Sequence, residues 1–251
     1  MPEPRFGRSV AGGPHRRHHR PIIRANNRFR ILLAFLLLTL LVTPLFESES
    51  YALEVVRVIF SFALMGSVYA IGRRRSDIVI GAIIASPSVI GRWLPGYATS
   101  IPVFAVVTGA TAMFLAFVAY KIISEVARLR TVTFDTIFGA VCGYLLLGGL
   151  WAFLYSLVNI LFHGAFIFTN VRALPPSADL MQRSRLVNLF YFSFITLTST
   201  GFGDILPAVP AAKTLAVCEV IVGQFYVATL VARLVSLEIM SSSAGAGDPE
   251  K

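Results

Sequence analysis

Six apolar runs, at residues 29–46, 51–71, 77–94, 101–123, 135–162 and 211–236, leave this chain few ways to fold. A helix crossing the hydrocarbon core of a bilayer needs about 20 apolar residues. Most of these runs have that length. The third is shorter and contains Pro87, which predicts a kinked helix whose freed backbone groups are satisfied by neighbouring helices. Charged residues make up only 14% of the chain, against about 25% in a soluble domain. Most of the chain is therefore built to avoid water, and no large soluble domain is expected.

Charge orients the spans. Eight arginines lie between Arg5 and Arg30, against the single acid Glu3. A basic run abutting an apolar span reads as a cytoplasmic amino terminus. His15, His18 and His19 alternate with Arg16, Arg17 and Arg20, so a solvated run near anionic lipid is expected here rather than a metal or nucleic-acid site. Counting spans from an inner start, the inner loops hold Arg73, Arg74, Arg75, Lys121, Arg128 and Arg130. The first outer loop holds Glu47 and Glu49. Six spans with both termini cytoplasmic satisfy this pattern. Cys142 and Cys218 sit inside apolar runs, which predicts small buried side chains rather than a disulfide. Neither a GxxxxGK[ST] phosphate loop nor an HExxH pair occurs, and an enzyme is not expected.

The segment between the last two spans carries the chemistry. About 12 apolar residues, Leu186 to Leu197, are too few to cross a membrane. They run into Thr198, Ser199 and Thr200, then Gly201-Phe202-Gly203-Asp204. A half-helix followed by irregular backbone reads as a re-entrant loop, tolerated at membrane depth only where protein buries it or where it lines water. To pass a dehydrated cation, a pore replaces the water shell with rings of backbone carbonyls that all point inward. An ordinary strand alternates its carbonyls. Positive φ breaks the alternation, and glycine adopts it at little cost. Gly201 and Gly203 supply two such positions. Phe202 between them is free to pack outward, and Ser199 can add a side-chain oxygen. The half-helix would aim its negative carboxyl end at the ion path.

Thr196-Leu197-Thr198-Ser199-Thr200-Gly201-Phe202-Gly203-Asp204 resembles the Thr-Leu-Thr-Thr-Val-Gly-Tyr-Gly-Asp signature of the potassium-channel superfamily. The resemblance covers about 135–236. It implies an all-α integral membrane homotetramer around a central pore. It also implies a selectivity filter of Ser199, Thr200, Gly201, Phe202 and Gly203, supported by Thr198 and Asp204. Potassium would be held by Ser199, Thr200, Gly201 and Phe202 as a permeant ligand, with no cofactor, and the partners would be further copies of the chain and the bilayer. Serine, threonine and phenylalanine here replace the usual threonine, valine and tyrosine. Gly223 stands where the superfamily often places an inner-helix glycine, which implies a hinge. A small residue for helix packing is the alternative. Gln224 aligns with a cavity-facing position.

The resulting organisation has four parts. Residues 1–28 form a basic disordered tail, 29–130 a four-helix accessory region, 131–236 the pore module and 237–251 a short disordered tail. The fourth span lacks the arginine ladder that voltage sensing requires. Glu219 is an acid within a span, and either a functional role or a partner hydroxyl on a neighbouring helix accounts for it. Asp135 with Thr136 is expected to start the fifth helix. Gly139 and Gly143 form a small-residue packing face, and Glu54 pairs with Arg57. The function expected is passive potassium conduction. The alternatives are a poorly selective cation channel or, from another class, a non-conducting membrane scaffold or auxiliary subunit.

Overall fold

The computed structural model describes residues 28–45, 58, 61–67, 75–93, 100–128, 133–169 and 178–245. The expected amino-terminal tail lies outside the described residues except for Arg28. So do most of the second span, the Glu54–Arg57 pair and the end of the carboxyl-terminal tail. The described elements are α1 (Arg28–Leu45), α2 (Arg75–Trp93), α3 (Ile101–Arg128), α4 (Phe134–Leu161), β1 (Phe166–Phe168), α5 (Ala178–Leu197), β2 (Ile205–Pro207) and α6 (Pro210–Gly245). Residues 61–67 are also helical. Among the described residues, three helical stretches are long and apolar enough to cross a membrane: Ile101–Arg128, Phe134–Leu161 and Pro210–Ser236.

The helix α4 organises the others. Lipid is as apolar as leucine, so helices associate in a bilayer through close packing and interhelical hydrogen bonds, which small residues permit. At Gly139 a Cβ would lie 3.0 Å from Val126 of α3 and 3.5 Å from the Phe29 ring of α1. At Gly143 it would lie 2.9 Å from the Tyr226 hydroxyl of α6, and at Gly148 2.5 Å from the Phe194 ring of α5. The packing role of Gly139 and Gly143 is thus realised, with Gly148 extending the same device. Tyr226 donates to the Ala140 carbonyl at 2.7 Å, closing the α4–α6 seam. The largest cluster of buried side chains joins Phe29 and Leu32 of α1, Phe114 and Ile122 of α3, and Leu146 and Phe153 of α4.

Two details differ from the sequence expectation. The start of α4 is capped by Thr133, whose Oγ1 accepts from the Thr136 N–H at 3.3 Å. Asp135 instead lies in the first turn, where its negative charge faces the positive helix end. The fold is also not purely α. The chain leaving α4 pairs as β1 with β2, the segment after the loop, in an antiparallel ladder matching Phe166 to Pro207 and Phe168 to Ile205. Extended backbone on both sides of α5 lies edge to edge, and pairing satisfies groups that would otherwise be orphaned. Tyr155, Phe166 and Phe192 lock this corner through edge-to-face contacts, with centroids 5.0–5.5 Å apart.

Candidate functional site

The loop at 198–204 grows directly out of the end of α5. Ser199 adopts φ 58°. Its N–H donates to the Thr196 carbonyl at 2.9 Å, and the Thr200 N–H donates to Ile195 at 2.8 Å. This pair of bonds is a Schellman closure, a form usually built on glycine. The Gly201 N–H also reaches Ile195, at 3.2 Å, and the Thr198 N–H reaches Phe194, at 3.1 Å. The remaining late carbonyl, Leu197, accepts from the Tyr144 hydroxyl of α4 at 3.2 Å. Every N–H from 198 to 201 is therefore spent on the helix end. Among the described residues, no N–H or hydroxyl donates to a carbonyl from 198 to 203. A row of backbone oxygens without internal donors is what a cation would need.

Gly201 and Gly203 have φ of 50° and 81°. A Cβ at either would meet no atom within 4 Å, so the backbone angle, rather than lack of space, requires glycine. Phe202 between them is 70% exposed within the single chain. The Thr198 and Thr200 hydroxyls lie 2.9 Å apart. On the far side of the loop, the Asp204 carbonyl accepts from both the N–H and the hydroxyl of Thr169, at 2.9 and 2.8 Å. Among the described residues, the Asp204 Oδ1 is buried with no hydrogen-bond partner.

The helix α6 runs beside α5 in the same direction and touches it at successive levels. Glu219, fully buried, has one carboxyl oxygen 2.5 Å from the Ser193 hydroxyl and the other in hydrogen-bond contact with the Tyr155 hydroxyl of α4. One turn on, Gly223 abuts the end of α5, where a Cβ would lie 2.5 Å from the Leu197 carbonyl oxygen. Gln224 donates from Nε2 to the Ser199 Oγ at 2.8 Å. The two helices thus hold the base of the loop through a carboxyl, a bare backbone and an amide. The helix α6 is continuous through Gly223.

Residues 155–238 match a family model described as an ion channel. None of the curated proteins compared with the chain matches it. This segment is thus similar to an ion-channel family. The match spans the end of α4, all of α5, the loop and most of α6, so the similarity to ion channels falls on the segment that carries the loop. Sequence reading of the site missed Tyr144, Tyr155, Ser193 and the positive φ of Ser199. Ser193 could have been noticed as one of three polar residues, with Asn188 and Thr196, in the mostly apolar half-helix at 186–197. Tyr144 and Tyr155 carry no such local signal. The two cysteines are free, Cys142 buried and Cys218 exposed. The latter departs from the buried expectation because α6 presents that side away from its own chain.

Proposed function

We propose that this chain conducts potassium through a filter formed by Ser199, Thr200, Gly201, Phe202 and Gly203, braced by Thr198 and Asp204. The observation that carries this reading is the run of backbone oxygens at 198–203 with no donor among the described residues, beside positive φ at Ser199, Gly201 and Gly203. Such oxygens replace the hydration shell of a cation. One chain supplies one loop and a closed ring takes about four, so the channel is a homotetramer, with Gln224 and Gly223 lining its inner cavity. The pore module is 131–236 and 29–130 is an accessory region. Six spans place both termini in the cytoplasm of a cell membrane, as the arginine distribution supports.

The test is the potassium-to-sodium permeability ratio of the purified protein in liposomes. Gly203→Ala introduces strain of about 1–3 kcal/mol in every subunit and is expected to abolish selective potassium flux while the protein still inserts and assembles. Selective flux through Gly203→Ala would remove residues 199–203 as the filter. A wild-type ratio near unity would favour the poorly selective cation channel, a reading prompted by the Ser199–Thr200 pair. Absence of any flux would favour the scaffold.

A further inference from the structure

Glu219 is the most deeply buried acid among the described residues, and its hydrogen-bond partners are Tyr155 and Ser193, on the helices around the loop. Its carboxyl is held between two elements. Tyr155 of α4 donates to Oε2, and Ser193 Oγ of α5 lies 2.5 Å from Oε1. The same Ser193 Oγ lies 2.7 Å from the Gly148 carbonyl of α4. Three short oxygen–oxygen contacts therefore run in a chain from Tyr155 through Glu219 and Ser193 to Gly148. Each needs one proton. Tyr155 supplies one and Ser193 supplies one. A carboxylate accepts only, so with Glu219 ionised one contact would face two oxygens with no proton between them. A carboxylic acid supplies the third proton: Glu219 donates to Ser193, and Ser193 donates to Gly148. No basic side chain appears in any of these contacts.

Resting on the filter reading above, we propose that Glu219 is a neutral, proton-bearing positioning residue that fixes the pore helix between the outer and inner helices. It is not a charge that draws cations inward. Glu219 meets Ser193 one turn above the point where Gly223 meets Leu197, and Gln224 meets Ser199 just below. The acid therefore sets the height and roll of α5, and through α5 the position of the Schellman turn from which the filter starts. A half-satisfied buried network would cost more than an apolar contact, so the arrangement persists only with its full set of protons.

The test uses full-length protein in liposomes with potassium as the probe ion. The amide of Glu219→Gln donates to Ser193 and accepts from Tyr155, imitating the neutral acid. It is expected to keep flux and selectivity within about twofold of wild type. Glu219→Leu and Ser193→Ala each strand a buried polar partner and are expected to lower flux by about tenfold or more. An infrared difference spectrum of wild type against Glu219→Gln at neutral pH should contain a carboxylic-acid carbonyl band. Ser193→Ala and the spectrum keep the question open to refutation if Glu219→Leu fails to fold. Loss of flux in Glu219→Gln, wild-type flux in Glu219→Leu, or absence of the acid band would each overturn the proposal. Gly203→Ala in the same liposomes reports on the filter separately, so failure of the filter reading is distinguishable from failure of this one.

Discussion

Ser199 and the two loop glycines take positive φ for different reasons. Gly201 and Gly203 take it within the loop, where no helix end is being closed, whereas Ser199, at φ 58°, closes the end of α5. Serine tolerates that region at modest cost, but a β-branched side chain there is a genuine outlier. The resemblance alone would make Ser199→Thr a harmless return to the usual residue. The backbone angle predicts the opposite: strain of about 1–3 kcal/mol in each subunit. Ser199→Thr is expected to lower potassium flux and the thermal stability of the assembled protein. Unchanged flux and melting would mean that Ser199 leaves this conformation at no cost. The Ser199 hydroxyl is also tied to Gln224. Gln224→Leu, which removes that donor, is expected to alter the permeability ratio while leaving assembly intact, as read by liposome flux and size in detergent.

At the scale of elements, the close approach of α6 to α5 rests on a missing side chain. A Cβ at Gly223 would meet backbone, the Leu197 carbonyl oxygen at 2.5 Å, which cannot swing aside as a side-chain tip could. Gly223→Ala is therefore expected to overpack the contact by about 1–3 kcal/mol, displace the end of α5 and reduce flux. Gly109→Ala is the control, since the nearest atom to its Cβ would be 4.0 Å away. Equal melting temperatures and fluxes for the two variants would contradict the steric role. The α4 glycines belong to the same scheme. They admit Phe29, Tyr226 and Phe194 from three different helices, so one helix holds α1, α5 and α6 together.

At the scale of the whole molecule, the three long spans are buried unequally. The apolar windows of α3 and α4 are 44% and 50% buried, while that of α6 is 11% buried. The exposed side chains on α6 include Val217, Ile221, Phe225 and Val231, a large apolar surface left uncovered by its own chain. Further copies around a shared axis would cover part of it, and a mass corresponding to four chains is expected in mild detergent. Monomers or dimers alone would count against that assembly. Residues 101–120 of α3 carry no charged side chain, and Lys121 just below is paired with Asp77 at 2.8 Å. Moving one charge through 100 mV contributes about 2.3 kcal/mol, so steep gating needs several. Conductance measured in planar bilayers is therefore expected to rise without a steep voltage step.

The sequence alone determined the membrane spans at 101–123, 135–162 and 211–236, the half-helix ending at Leu197 and the glycines at 201 and 203. Each follows from local chemistry: run length against bilayer thickness, a stretch too short to cross, and residues permissive of positive φ. The ends were less legible. The capping hydroxyl proved to be Thr133 rather than Asp135, and α6 continues to Gly245, because apolar length does not mark where helical hydrogen bonding starts or stops. Only the tertiary structure decided what lies behind the loop. Ser193 is 26 residues from Glu219 and Tyr155 is 64, and no local pattern brings them together. Packing around α4 does so, and burial then forces every polar group in the cluster to find a partner.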